Sequence, residues 1–245
     1  MSCILTDSTV FNVGAQALVN TVNTYGVMGA GLALEFSLRY PKMFKEYEEQ
    51  CKAGEIKVGK VYYYPDQPDG TIAINFPTKM HYAAPSKIEW IDQGLIDFIK
   101  TYQNHGITSV AFPKLGAANG KLDWGLVLDH MKYYLDPLDI DVYICSAEKA
   151  EPEGVEAAMV ADYNAFISEP KNKGILKIKP DQEYAVFKNG PIKRFYEIRD
   201  IASIRGAKNG PYRKIFRKFY DPYSTSFKLH YMTEGNGQQS LFDDV

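Results

Sequence analysis

The sequence predicts a three-layer α/β/α sandwich with a mixed sheet over residues 1–169, followed by a small β-rich module over residues 175–232 and a flexible tail over 233–245. Three observations lead there. Apolar β-type runs alternate with helical periods from Ala17 to Phe166. The charge changes sign near residue 170: residues 1–170 hold 13 basic and 22 acidic side chains, whereas Lys171 to Lys228 hold 15 basic and 5 acidic. The stretch between them, "SEPKNKG", has the composition of a linker and sets a boundary near Glu169 to Gly174. With 245 residues, 45% of them apolar, the chain is long enough to bury a sizeable core.

Along the chain, Ala17 to Thr21 reads as a buried strand. Ala30 to Tyr40 and Lys42 to Cys51 read as helix, interrupted at Pro41, which has no N–H for the helical ladder. "GKVYYYP" and "TIAINFP" are short β-rich runs closed by prolines. From Ser86 to His105, Ile88, Ile91, Leu95, Ile96 and Ile99 fit one face of an amphipathic helix, with Ser86 as its cap and Glu89 three residues on. "SVAFP" follows as a strand, "LDWGLVLDHMKYYL" as a helix capped by Asp123, "DVYICS" as a strand and Pro152 to Phe166 as a last helix. Such alternation implies a largely parallel or mixed sheet covered by helices, with ligands beyond the carboxyl ends of its strands.

The basic part reads differently. "ILKIK", "EYAVFKNGPIKRFYEI" and "SFKLHYM" are β-rich, and Asn189-Gly190 between two such runs is a hairpin signal. One short helix or extended arm is expected around Tyr212 to Phe219. Interleaved with the charges are Tyr184, Phe187, Phe195, Tyr196, Tyr212, Phe216, Phe219 and Tyr220, a mixture suited to phosphates and stacked bases. An acidic protein partner, or a plain aromatic core under solvated lysines, are the alternatives. In the tail, Gln238 to Phe242 is similar to the short peptides that dock on bacterial sliding clamps.

No run approaches the roughly 18 to 20 apolar residues of a membrane span, and "MSCILTDST" lacks the basic-then-apolar layout of a secretory signal. A cytoplasmic protein without membrane contact is expected. Cys3, Cys51 and Cys145 have no close Cys or His partners, so neither a disulfide framework nor a metal site is suggested.

Two glycine-bearing segments each follow a strand and precede a helix: "NTYGVMGAG" and "PKLGAANGK". Glycines admit close backbone approach, and the first amides of a helix suit phosphate oxygens. Two such loops can hold a diphosphate between them. A Walker-type lysine is missing and the glycines do not fit G-x-G-x-x-G, which excludes an ordinary NTPase or dinucleotide fold.

Asn20-Thr21-Val22-Asn23, Gly26, Met28-Gly29, Gly31, Ala33, Phe36, Tyr40-Pro41, Met43-Phe44, Phe76-Pro77-Thr78-Lys79, and Pro113-Lys114-Leu115-Gly116 through Leu122-Asp123-Trp124 together resemble the macrodomain family. The nearest branch is that of ADP-ribosyl glycohydrolases containing the DarG-type antitoxins, which strip ADP-ribose from thymidine bases in DNA. The resemblance covers about Ile4 to Phe166 and does not reach the basic part.

The resemblance implies that Val27, Met28, Gly29, Ala30 and Gly31 wrap the diphosphate and distal ribose of ADP-ribose. Asn20 and Asn23 would fix this loop and offer amides to the ribose. Thr78 and the second loop, Leu115, Gly116, Ala117, Ala118, Asn119, Gly120 and Leu122, would complete the binding site. Lys79 lies where the family's glycohydrolases carry their essential lysine; with Asn23 it is the catalytic candidate. Its amine is suited either to attack the anomeric carbon or, charged, to stabilise an oxocarbenium-like step. No cofactor is needed.

Two positions depart from the family pattern. Ala117, Ala118 and Lys121 stand where glycines are common. The aspartate that contacts adenine is displaced, to Thr9 without a gap or Asp7 with one. His81, two residues past Lys79, is read as a structural residue in place of an acid or base. Lys114 and Lys121 flank the second loop. The implied activity is hydrolysis of the bond between ADP-ribose and a macromolecule, most readily a DNA base, in an antitoxin-like setting with a toxin as partner. The alternative is a non-catalytic ADP-ribose-binding module tethered to nucleic acid or protein.

Overall fold

The computed structural model describes residues 2–149, 151–205 and 209–224. The "SFKLHYM" run, the tail and the clamp-type peptide of the sequence reading lie outside the described residues. By packing, the chain divides into one unit running to Gly154, less Pro68–Gly70, and a second that takes those three residues and the chain from Val155. Packing thus draws its line at the start of the last expected helix, earlier than the change of charge does.

The first unit is built on a mixed six-stranded sheet. Its strands are β1 (Ile4–Thr6), β2 (Ala17–Asn23), β3 (Tyr62–Tyr64), β4 (Ile72–Lys79), β5 (Ser109–Pro113) and β6 (Asp141–Cys145), ordered β1-β6-β5-β2-β4-β3. All neighbours pair in parallel except β3, which runs antiparallel to β4 at the edge. β2 and β4 are buried almost throughout, as strands covered on both faces must be.

Helices α1 (Gly31–Arg39) and α2 (Pro41–Lys52) cover one face, packing Phe36, Tyr40, Met43 and Tyr47 against Leu18, Val22 and Ala73. Pro41 sits in the first turn of α2, where a missing N–H costs nothing. Helices α3 (Ile88–Thr101) and α4 (Trp124–Leu135) cover the other, packing Ile91, Leu95, Phe98, Val127 and Met131 against Val19, Ile74, Phe76 and Val110. Asp123 caps α4 as expected, its Oδ1 accepting from the Leu126 N–H at 2.9 Å. Ser86 does not cap α3. That helix begins after Lys87 with no side-chain cap, and Ser86 is buried beside the second glycine loop.

The second unit corrects the sequence reading. Its described residues are helical: α5 (Gly154–Ser168), α6 (Pro180–Asn189), the single turn α7 (Ala202–Arg205) and α8 (Gly210–Tyr220), joined by short 3₁₀ turns. Asn189-Gly190 ends α6 instead of turning a hairpin; Gly190 sits just past the helix at φ 76° and ψ −161°, a backbone essentially confined to glycine. In α8, Tyr212, Ile215, Phe216 and Phe219 recur at the helical period and are buried. Most of the interleaved aromatics are therefore core: Phe195 meets Tyr163, Tyr212, Phe216 and Phe219 at ring centroid distances from 5.7 to 6.4 Å. Among the described residues of this unit, Tyr184 and Tyr196 are the large aromatics that are strongly exposed. Glu156 of α5 holds the Arg194 guanidinium through two hydrogen bonds of 3.0 and 2.7 Å, and accepts the Phe195 N–H at 3.1 Å. Among the described residues no helix is long and apolar enough to cross a membrane.

Candidate functional site

The carboxyl ends of β2, β4 and β5 open into three loops, 24–30, 80–87 and 114–123. The pairing of β2 with β4 is regular from Ala17↔Ile72 to Val22↔Pro77, then shifts so that Asn23 pairs with Lys79 and Thr78 is passed over. Such an irregularity re-aims side chains at a strand end. It sets the two catalytic candidates opposite each other, and the Thr24 N–H donating to the Lys79 carbonyl at 3.0 Å fixes the junction.

Lys79 is 7% exposed. Its Nζ donates to the Asn119 carbonyl at 2.7 Å and, more weakly, to the Tyr82 carbonyl at 3.4 Å. Burial, and secondarily the charge of Lys121, pull its pKa below the ordinary lysine value of 10.5. A neutral amine has two N–H bonds and one lone pair. Two carbonyl acceptors therefore satisfy its donors and leave the lone pair for an electrophile.

Asn23 organises the first loop from within. Its Nδ2 donates to the Val27 carbonyl at 2.7 Å, and its Oδ1 accepts the Tyr25 and Val27 N–H groups at 3.0 and 3.3 Å. Tyr47 of α2 donates its hydroxyl to the Asn23 carbonyl at 2.5 Å. Asn20 is completely buried, donating to Asn75 Oδ1 at 2.9 Å and contacting the Met28 sulfur at 3.7 Å. It supports the loop from beneath and, so placed, offers a ligand no amide. Met28 and Thr78 are likewise buried, whereas Val27, Ala30 and Gly31 reach the surface. Helix α1 starts at Gly31 with no side-chain cap and no acid in its first turn, an arrangement that favours an anion there.

The second loop faces the first: a Cβ built on Gly31 would lie 3.5 Å from the Asn119 amide nitrogen. It is closed by Leu122 N–H to the Gly116 carbonyl at 3.1 Å and Ser86 N–H to the Gly120 carbonyl at 2.9 Å. Leu115 is buried beneath it, and Leu122 is half-buried. Ala117 and Ala118 are not at positive φ, so their departure from glycine carries no backbone strain; the left-handed positions are taken by Gly116, at 65°, and Lys121, at 63°. Lys114 is not available as a phosphate cation, being paired with Glu148 and lying over the Trp124 ring. Asp7 is exposed and Thr9 half-buried just past β1, at the same carboxyl end of the sheet but separated from the lysine's strand β4 by β6, β5 and β2.

The strand ends at Lys79, so period-two alternation does not govern His81. Its ring lies in a turn, 4.7 Å from Tyr25 and 4.1 Å from Tyr82, centroid to centroid. Neither tyrosine was singled out by the sequence; only the folding of two distant loops onto one spot brings them together.

A parallel-centred α/β/α sandwich with two opposed backbone loops and a buried amine between them defines a ligand-binding domain for an extended anion. The Macro domain family model matches residues 19–131. The chain is 46% identical over 159 residues to the DNA ADP-ribosyl glycohydrolase of Mycobacterium tuberculosis, covering 63% of this chain and 45% of that protein. It superposes on the macrodomain of Mycobacterium tuberculosis DarG with a TM-score of 0.55 and 45% identity, over 58% of this chain and 97% of that structure. Thermosipho africanus DarTG, solved in complex with ADP-ribose, gives a TM-score of 0.56 at 34% identity, over 60% of this chain and 42% of that one. The chain belongs to the macro domain family. It spans a little under half the length of the curated glycohydrolase that it matches.

Proposed function

We propose that the protein is an ADP-ribosyl glycohydrolase that removes ADP-ribose from a macromolecule, with a DNA base as the acceptor. The observation that carries this reading is Lys79: a buried amine of lowered pKa, paired in register with Asn23 where the two loops meet. The likeness to DNA ADP-ribosyl glycohydrolases supports the choice of acceptor. In this mechanism the diphosphate lies along Val27 to Gly31 and Gly116 to Gly120, with adenine toward Asp7 and Thr9. The Lys79 nitrogen attacks the anomeric carbon of the distal ribose. The glycosidic bond breaks, its electron pair goes to the leaving base, and the proton lost from the amine ends on that base. Ring opening of the resulting adduct gives a Schiff base, which water hydrolyses to ADP-ribose and free Lys79.

The test is release of ADP-ribose from an ADP-ribosylated oligodeoxynucleotide and from an ADP-ribosylated protein, with borohydride added to trap the adduct. Release from DNA, a trapped mass on Lys79, and loss of both in Lys79→Ala with ADP-ribose binding retained are expected. Binding without release from either substrate leaves a non-catalytic binding module.

The basic second unit is proposed to hold the DNA by its phosphates. Its charge supports this, while its mostly buried aromatics leave little for stacking. Binding of unmodified DNA should then weaken with salt, at a log–log slope of about −0.7 to −0.9 per phosphate contact. Salt-insensitive binding refutes it. The partner enzyme this reading requires is a transferase that attaches ADP-ribose to DNA, in a toxin's role.

A further inference from the structure

The second loop keeps a lysine where its backbone suits glycine. Lys121 stands at φ 63°, in the left-handed region that crowds any residue with a Cβ, whereas the other left-handed position of the loop is filled by Gly116. Strain of this kind persists only where the surrounding structure imposes it, and it gathers at functional sites. The turn is fixed by the Lys121 N–H donating to the Ala118 carbonyl at 3.2 Å and by the Leu122 N–H donating to the Gly116 carbonyl. Two residues before Lys121, the Asn119 carbonyl grips Lys79 Nζ at 2.7 Å. So short a chain keeps the Lys121 Cα within about 10 Å of that nitrogen, close to one Debye length at physiological salt.

Lys121 is exposed, and among the described residues it enters no ion pair. No aspartate or glutamate occurs from Lys114 to Leu122, from Gly70 to Ile88 or from Val19 to Leu34, the stretches that hold the loops around Lys79. The other polar groups near the site are engaged elsewhere. Lys114 is paired with Glu148, Lys87 lies over the Trp90 ring, Asp123 caps α4 and the Tyr47 hydroxyl is spent on the Asn23 carbonyl. His81 packs against the rings of Tyr25 and Tyr82. The Lys121 charge is the one that adds to burial in lowering the Lys79 pKa.

The mechanism proposed above asks two opposed things of this place. A diphosphate brings negative charge toward Lys79, and negative charge favours the ammonium form of an amine. Attack on the anomeric carbon needs the lone pair. A neighbouring cation without a carboxylate of its own reconciles the two.

We infer that Lys121 is a positioning residue that acts through Lys79: from its strained place on the second loop, its charge offsets that of the bound diphosphate and keeps the Lys79 amine neutral for attack. The inference rests on the glycohydrolase reading above and adds the group that sustains its nucleophile.

The experiment follows kcat against pH for release of ADP-ribose from an ADP-ribosylated oligodeoxynucleotide, in the wild type, Lys121→Met, Lys121→Arg, Lys121→Gly and Lys87→Met. Lys121→Met should move the acid limb of the profile to higher pH and meet the wild type at alkaline pH. At neutral pH its kcat should fall about three- to fivefold, the size that Coulomb's law gives for charges roughly 10 Å apart at a dielectric between those of protein and water. Lys121→Arg should keep the wild-type limb. Lys121→Gly should shift it as methionine does while its Tm stays at or above that of the wild type, because glycine relieves the left-handed strain; this variant carries the test if Lys121→Met does not fold. Lys87→Met, which loses an equal charge, should leave the limb in place. An unmoved limb in the methionine and glycine variants overturns the inference, and if ADP-ribose affinity falls at the same time Lys121 is a phosphate contact instead. An equal shift in Lys87→Met also overturns it. If the wild type releases nothing from DNA or protein, the glycohydrolase reading fails by itself. Lys121 is then judged by acetylation of Lys79 with acetic anhydride across pH in the ligand-free protein, read by mass spectrometry. There the Lys79 midpoint must rise in Lys121→Met, and an unchanged midpoint overturns the inference.

Discussion

Gly120→Ala tests whether the second loop is built as described. An ideal Cβ on Gly120 would stand 2.2 Å from the Gly116 carbonyl oxygen, 2.8 Å from its carbon and 2.3 Å from Ser86 Oγ. Ser86 can rotate its hydroxyl away. The Gly116 carbonyl cannot move so simply, because it accepts the Leu122 N–H and its own residue sits at φ +65°. A carbon needs roughly 3.5 Å from such neighbours, so the loop must open by about 1 Å. Opening strains the Ser86 to Gly120 hydrogen bond and displaces the Asn119 carbonyl that holds Lys79. Overpacking of this kind costs ~1–3 kcal/mol and each lost hydrogen bond about 1 kcal/mol. Together these give ~2–4 kcal/mol, or a fall in Tm of about 5–15 °C for a chain of this size. ADP-ribose affinity by calorimetry should fall at least about tenfold, because the loop proposed to line the ligand is the part that moves. Gly106→Ala is the control: φ is +61° with nothing within 4 Å of the added carbon, so it should lower Tm modestly and spare binding. Wild-type ADP-ribose affinity in Gly120→Ala would refute the close packing of this loop and the role given to it.

Three further outcomes follow from the site. Because Lys79 titrates below 10.5 in the folded protein and the proposed mechanism takes the neutral amine as nucleophile, kcat/KM should rise with pH as the amine loses its proton and level off below the ordinary lysine range; a rate that falls over that interval would make the ammonium the working form. By linkage, between the lowered folded value and 10.5 the unfolded chain binds more protons at Lys79 than the folded one, so its penalty on stability shrinks as pH rises through that window. Tyr47→Phe removes the hydroxyl that donates to the Asn23 carbonyl and should cost about 1 kcal/mol in urea unfolding while weakening ADP-ribose binding several-fold, whereas unchanged affinity would mean that Tyr47 does not hold the first loop.

Much of this was legible before folding. The alternation of β-rich runs and helical periods implied a sandwich around a mixed sheet, because buried strands and amphipathic helices each carry their own period. Asp123 as a cap and the break between two helices at Pro41 are local chemistry and stand as read, Pro41 itself opening the second helix. The resemblance carried by Asn20, Asn23, the glycines and Lys79 pointed to the family and implied the candidate site. Three things belonged to the tertiary structure alone. The shift that pairs Asn23 with Lys79 is a property of two strands about 50 residues apart, and no local pattern encodes it. The depressed pKa of Lys79 follows from burial and from Lys121, which arrives on a third loop. In the basic unit, β-type residues became helix and Asn189-Gly190 became a helix end. A glycine serves a hairpin and a helix terminus equally, and the aromatic faces of α5 and α8 had to find each other before the choice between them was made. Local sequence sets which conformations are cheap, whereas burial, register and the field of distant charges exist only once the chain has packed.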